Sequence, residues 1–288
     1  CDHHDLGFLY SLSCVPAYKL RGDADATRSA LLAADILMER YIENAGIIQA
    51  WGKADDPDER GKMIIDSLMN LPLLYWAGDL TSRPEYRKNA YRHALNAVNN
   101  LVRPDGTTYH TFYFDPKSGK PLRGSTKQGY SEKSCWARGQ AWAIYGFALS
   151  YVYTKDPDFL KAAVRTAEYF LSRMPEDDVV YWDLVFSDGS GEEKDSSASA
   201  IAVCGLLEIS KYMTGPADKL KFFGAAKKIL TSLCLNYATS VNDKNDGLIL
   251  HGVYYKGGGV GVDESNIWGD YFYLEALVRM LTEWETYW

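Results

Sequence analysis

The stretch Trp136-Ala137-Arg138-Gly139-Gln140-Ala141-Trp142 puts two indoles, a guanidinium and an amide into a short piece of helix. Flat apolar faces beside a fixed cation suit a sugar ring that carries a carboxylate. The residues before it, 128–134, are polar and include Gly129. Those after it (Ile144, Tyr145, Phe147, Ala148, Tyr151, Val152) are core-like, so the cluster is expected at the mouth of a buried helix. Asp66 is the sharpest single residue. It stands in Met63-Ile64-Ile65-Asp66-Ser67-Leu68-Met69 with apolar residues on both sides. A buried carboxylate costs on the order of several kcal/mol unless it is paired or protonated, and either outcome shifts its pKa. Such a carboxyl can serve as an acid near neutral pH; a structural cap or an internal salt bridge is the competing reading.

Other polar groups precede apolar helical stretches. Asp5 opens Leu6-Gly7-Phe8, where capping alone would also account for it, and His4 stands beside it. Asp195, before Ser196-Ser197, reads first as a cap; Asp263, Glu264 and Asp270 lie near the last helix, with Asp270 read as wall structure. His110, in the alternating segment 107–113, is either a hydrogen-bonded loop histidine or a sugar contact. His3, His4 and Asp5 are too close in sequence to complete a metal site alone, so no metal or other cofactor is expected. No serine or cysteine has a base at a recognisable spacing. Gly257-Gly258-Gly259 lacks the Lys-Ser/Thr of a phosphate loop and reads as a flexible loop.

These groups need a scaffold, and the chain is long enough to bury a large core: 288 residues, 47% of them hydrophobic and 14% aromatic. A net charge of -7 offers no basic stripe for nucleic acid. The longest apolar run, residues 137–153, is broken by Arg138, Gln140 and glycines, so no membrane insertion is expected. The five cysteines (Cys1, Cys14, Cys135, Cys204, Cys234) form no C-x-x-C pair and read as buried free thiols, three of them within apolar helical patterns, in preference to a disulfide framework or zinc site.

Helical periodicity runs from end to end. Four amphipathic helices are marked by Leu31, Ala34, Ile36 and Leu37 (capped by Asp23 or Asp25); by Ala94, Leu95, Val98, Leu101 and Val102; by Phe159, Ala163, Ala167, Phe170, Leu171 and Met174; and by Leu220, Phe223, Ala226, Ile229 and Leu233. A second set, near residues 7–20, 63–77, 139–154, 196–213 and 268–283, is apolar nearly all round and hence enclosed by other helices. The two kinds alternate, the enclosed ones recurring about every 60–70 residues. This predicts an all-α toroid of helical hairpins in one domain spanning residues 1–288. The N-terminal ends of the inner helices would then gather the polar groups at one mouth. Five inner and four outer helices are counted. A closed six-hairpin barrel needs twelve, so about three helices, on the order of 80 residues, are expected to precede Cys1. β-like pieces are expected at 109–114, 179–186 and 248–255.

His4-Asp5-Leu6-Gly7-Phe8, the Asp66 segment, Trp136 to Trp142, Asp195-Ser196-Ser197-Ala198 and Asn266-Ile267-Trp268-Gly269-Asp270-Tyr271 together resemble the unsaturated glucuronyl hydrolases of glycoside hydrolase family 88, over essentially the whole chain. The resemblance implies an (α/α)6 barrel. It also implies bacterial glycosaminoglycan breakdown, in cytoplasm or periplasm, by a monomer or weak homo-oligomer. The substrate would be an oligosaccharide left by a lyase, with a 4,5-unsaturated uronic acid at its non-reducing end. The reaction would hydrate the C4=C5 vinyl ether. Asp66 matches the family's general acid/base and Asp5 a second essential aspartate. His4, His110, Gln128, Trp136, Arg138 and Trp142 match the subsite lining, with Trp136 and Trp142 stacking on the sugar. Ser134 occupies a place where some members carry a cation, and Trp51 and Tyr255 are further candidates for the pocket. An unsaturated rhamnogalacturonyl hydrolase is the nearest rival, disfavoured by Gln140 and by the His4-Asp5 start. A non-catalytic carbohydrate-binding toroid is the rival from another class.

Overall fold

Helices dominate the computed structural model, which describes residues 3–53, 56, 59–240 and 244–288. In chain order they are α1 (Leu6–Ser11), α2 (Cys14–Arg21), α3 (Ala24–Glu39), α4 (Leu71–Thr81), α5 (Pro84–Asn96), α6 (Ala137–Thr154), α7 (Pro157–Ser172), α8 (Ser196–Tyr212), α9 (Pro216–Ser232) and α10 (Ile267–Leu281). A 3-10 segment, Ile65–Asn70, leads into α4, and π turns Ala97–Leu101 and Leu233–Tyr237 follow α5 and α9. Short antiparallel strands fill the loops. β1 (Tyr41–Ile42) pairs with β2 (Ile47–Ile48). β3 (Lys62–Ile64), β4 (Thr111–Phe114) and β5 (Pro121–Ser125) form a three-stranded sheet with β4 central. β6 (Gly252–Tyr255) pairs with β7 (Val260–Glu264).

The two kinds of helix separate as their patterns require. Every residue from Ala137 to Ser150 of α6 and from Ser196 to Ser210 of α8 is buried. α7 buries only one stripe, Phe159, Ala162, Ala163, Thr166, Ala167 and Phe170. α6 packs on α7 and α8, α8 on α9 and α10, and α1 on α3 and α4. At the centre Phe8 of α1 stacks on Phe272 of α10 at 6.0 Å, and Trp142 meets both rings edge-on at 5.5 and 5.4 Å. Inner helices around a shared centre, each followed by an outer one, make an α/α toroid. Among the described residues all five inner and four outer positions are filled.

Local chemistry explains the hairpins. Three outer helices, α5, α7 and α9, begin on proline, whose fixed φ and missing N–H suit the first helical turn. Two of these turns open with a left-handed residue, Ser82 (φ 57°) after α4 and Lys155 (φ 59°) after α6. Asp23, Asp156, Asp195 and Asn266 cap α3, α7, α8 and α10 through their side chains. Close approach of the inner helices needs a glycine: a Cβ on Gly146 would stand 2.5 Å from Leu68 Cβ.

Some local expectations fail. The first inner helix is two short helices, α1 and α2. The expected helix at 63–77 begins as strand β3 and then turns as a 3-10 segment before α4 starts at Leu71, because β4 recruits residues 62–64 into its sheet. Residues 179–186 form isolated bridges, Trp136 with Asp183 and Tyr181 with Lys194, and no strand. The glycine run at 257–259 includes a 3-10 turn, Lys256–Gly258, joining β6 to β7. Cys14, Cys135, Cys204 and Cys234 are free, but only Cys135 and Cys204 are buried as expected; Cys14 is half-buried, Cys234 is exposed in the turn after α9, and Cys1 lies outside the described residues. No helix among the described residues is long and apolar enough to cross a membrane.

Candidate active site

A cavity of about 450 Å³ opens where the N-terminal ends of the inner elements meet, within the range typical of small-molecule sites. α1 and its approach contribute His4, Asp5 and Phe8; β3 and the 3-10 segment contribute Ile64, Asp66 and Met69; α6 contributes Arg138 and Trp142. The loops add Trp51, His110, Lys127 and Gln128, β6 adds Tyr254 and Tyr255, and α10 adds Trp268.

Asp66 sits near the start of the 3-10 segment, but its side chain caps nothing. Its Oδ2 is buried without a hydrogen-bond partner, while about a quarter of the side chain (24%) remains accessible where it lines the cavity. Burial raises its pKa to about 7, the negative charge of Asp5 adds to the rise, and Arg138 opposes it. Nor is it half of a salt bridge. His110 Nε2 lies 3.7 Å from Asp66 Oδ2, but burial lowers the His110 pKa to about 3, leaving the imidazole neutral. The tautomer follows from the backbone: His110 Nδ1 accepts hydrogen bonds from Lys127 N (3.1 Å) and Gln128 N (3.2 Å), so the ring proton is on Nε2, the nitrogen nearest Asp66.

Asp5 occupies the position before α1 without a side-chain capping bond, so its carboxylate is not spent on the helix. His4 Nε2 lies 3.5 Å from Asp5 Oδ2, and burial lowers the His4 pKa against the pull of that carboxylate. The two aspartates are held together through Asn70, whose Oδ1 accepts from Phe8 N at 2.8 Å. At Gly7 an added Cβ would lie 2.3 Å from Asn70 O, so the approach of α1 to the 3-10 segment requires glycine.

Arg138 is buried and fully engaged. It donates to Asp195 Oδ2 (3.3 Å), to Val253 O and to Tyr254 O (2.7 Å), and its guanidinium lies over the ring of Trp136 at 4.6 Å. Asp195 meanwhile caps α8 through Ser197 N and Ala198 N. Arg138 therefore fixes β6 against α8. Lys127 is different: its Nζ lies over the Trp51 ring at 4.8 Å, and it makes no ion pair among the described residues. Nothing local in the sequence marks it, because a lysine in a polar loop ordinarily lies in solvent. Tyr254 and Trp268, stacked at 5.4 Å, were also missed as wall residues.

Two sequence candidates lie off the cavity wall. Trp136, 4% exposed, packs behind it, its ring against Arg138 and against His110 (4.7 Å), so its faces are not offered to a sugar. Ser134 donates to Asp183 Oδ2 at 2.7 Å in a loop network. The wider convergence expected of the helix starts is also partial. Asp263 pairs with His251 (2.6 Å), Asp270 accepts from Leu248 N and Ile249 N, and Gln140 is buried against Thr108, Gly106 and Thr166. Ser196, Ser197 and Glu264 do not line the cavity either. His4, Asp5, Trp51, Asp66, His110, Gln128, Arg138, Trp142 and Tyr255 do come together around it.

A sequence profile described as Glycosyl Hydrolase Family 88 matches residues 1–282. An unsaturated chondroitin disaccharide hydrolase of Streptococcus agalactiae is 50% identical over 288 residues, covering 100% of this chain and 72% of its own length. The crystal structure of an unsaturated glucuronyl hydrolase from that organism superposes with a TM-score of 0.96 at 49% identity, covering 100% of this chain and 72% of that one. A mutant of the S. agalactiae enzyme complexed with dGlcA-GalNAc6S superposes with a TM-score of 0.86 at 46% identity, covering 100% of this chain and 71% of that one.

Proposed function

The chain belongs to glycosyl hydrolase family 88, and we propose that it releases the 4,5-unsaturated glucuronic acid from the non-reducing end of lyase-generated glycosaminoglycan oligosaccharides. The observation that carries this reading is Asp66, a buried carboxyl with an unpartnered oxygen and a pKa raised to about 7, facing a cavity of sugar size. A group that titrates near neutrality holds a proton to give and, once it has given it, is basic enough to take one back.

Asp66 donates its proton to C4 of the vinyl ether, and positive charge develops at C5 and the ring oxygen. Water adds at C5 as the Asp66 carboxylate accepts its proton, which regenerates the acid. The hemiketal so formed opens at C5–O5 to a ketone, leaving C1 as a hemiacetal; its collapse to the aldehyde breaks the C1–O bond and releases the shortened sugar with a proton on its hydroxyl. Asp5, close enough to raise the Asp66 pKa, binds ring hydroxyls and keeps Asp66 protonated. The Nε2–H of neutral His110 donates toward Asp66 or the substrate without competing as an acid. Trp142 and Phe8 form the floor. Arg138 holds the wall, and Lys127, which lines the cavity and makes no ion pair among the described residues, meets the uronate carboxylate.

The test is loss of the ultraviolet absorbance of an unsaturated chondroitin disaccharide, set against an unsaturated rhamnogalacturonan disaccharide. Loss with the first and not the second is expected. Release of a sugar that still absorbs would mean attack at the anomeric carbon and would contradict vinyl-ether hydration, and preference for the second would reassign the substrate.

A further inference from the structure

Outside the cavity a second aromatic group stands that the proposed reaction does not use. Tyr130, two residues beyond the wall residue Gln128, is 62% exposed. Its ring is nevertheless fixed: it meets Trp182 at 6.2 Å and Phe186 at 5.0 Å, nearly perpendicular to both. Its backbone N–H donates to the buried Asp183 at 2.9 Å. Trp182 Nε1 in turn donates to Glu192 Oε2 at 2.8 Å, and Lys256, the residue after Tyr255, pairs with Glu192 at 3.7 Å and with Glu193. The strip Tyr130–Trp182–Glu192–Lys256 thus leaves the cavity wall at Gln128 and rejoins it at Tyr255.

We propose that this strip is an outer saccharide subsite, with Tyr130 as the stacking platform for a pyranose ring lying beyond the disaccharide on the reducing-end side. An exposed aromatic ring already held in place loses little conformational freedom on binding and presents apolar surface to the C–H face of a sugar. Glu192 and Lys256 offer an acceptor and a donor to ring hydroxyls. The proposal rests on the reading of the cavity given above.

The experiment compares unsaturated chondroitin disaccharide with unsaturated chondroitin tetrasaccharide. Tyr130→Ala should raise KM for the tetrasaccharide about fivefold to tenfold while leaving the disaccharide parameters unchanged, and Tyr130→Phe, which keeps the ring, should restore the tetrasaccharide value. Kd values for both sugars by calorimetry, with Tyr130→Ala placed in an Asp66→Asn background, read the subsite without turnover. Equal values with and without Tyr130, or equal losses for both sugars, would overturn the subsite. Absence of wild-type turnover on both sugars would instead strike the functional reading, and the calorimetric difference would still decide the subsite.

Discussion

At Asp66 the apolar neighbours visible in the sequence and the folded environment agree: a carboxyl placed among Ile64, Ile65 and Leu68 is stripped of water and keeps its proton to about pH 7. Turnover should therefore fall about tenfold per pH unit above about 7, as the acid form is lost, and a pH–rate profile flat from 6 to 9 would contradict the role. Lys127→Ala should raise KM about tenfold with kcat changed little, because the contact with the carboxylate is present in ground and transition states alike; steady-state kinetics on the disaccharide reads the split. Lys127 was invisible in the sequence because its place depends on His110, whose Nδ1 accepts the lysine's own backbone N–H from across the chain. Trp136 departs from its expected stacking role because the helix begins one residue after it. Trp136 stands just before α6 in extended backbone (ψ 122°), where its ring turns back onto Arg138 and His110, whereas Trp142 lies within the helix and lines the cavity.

Among the elements, the alternation of enclosed and one-sided helices was legible because burial on all faces and burial on one stripe leave different patterns. The start of α4 was not. The apolar run at 63–77 suits a buried helix and a buried strand equally, and only pairing with Phe112 and Thr111 of β4 draws Met63 and Ile64 into a sheet. That pairing sets Asp66 on a tight 3-10 turn at the cavity, and Gly7 lets α1 bring Asp5 to it. Gly7→Ala should cut kcat/KM by about tenfold or more, by pushing α1 off Asn70. Gly224→Ala, where nothing stands within 4 Å of the added Cβ, should leave activity intact and add up to about 1 kcal/mol of stability. Comparing the two variants in activity and thermal melting separates displacement of the site from a general effect of filling a helical glycine.

For the molecule as a whole, the same burial that prepares the site makes stability depend on pH in two opposite ways. The folded protein keeps the Asp66 proton up to about pH 7, whereas the unfolded chain releases it near the ordinary aspartate value. Asp66 thus weakens the fold as pH rises across that window, by up to about 4 kcal/mol. Buried His93 and His110, each lowered to about 3, act in the other sense: the unfolded chain takes up protons below about 6.5 that the folded one refuses, so stability is lost as pH falls toward 3. Denaturant midpoints from pH 4 to 8 should show the Asp66→Asn variant gaining on the wild type up to about pH 7 and levelling off above it; a difference that stays constant throughout would contradict the raised pKa. Toroid and mouth could be read from helix periodicity. The burial of Asp66 could be read as well, from its apolar neighbours; the closeness of Asp5 and Arg138, which adjust its pKa further, could not, since it is set by α1, the 3-10 segment and α6, residues far apart in the chain.

The most direct measurement is turnover of an unsaturated chondroitin disaccharide by the Asp66→Asn variant, followed as loss of ultraviolet absorbance, with its circular dichroism and melting compared with those of the wild type. A variant that stays folded and loses at least about a hundredfold in kcat is the expected result. A folded variant that turns over at close to the wild-type rate would contradict proton transfer by Asp66.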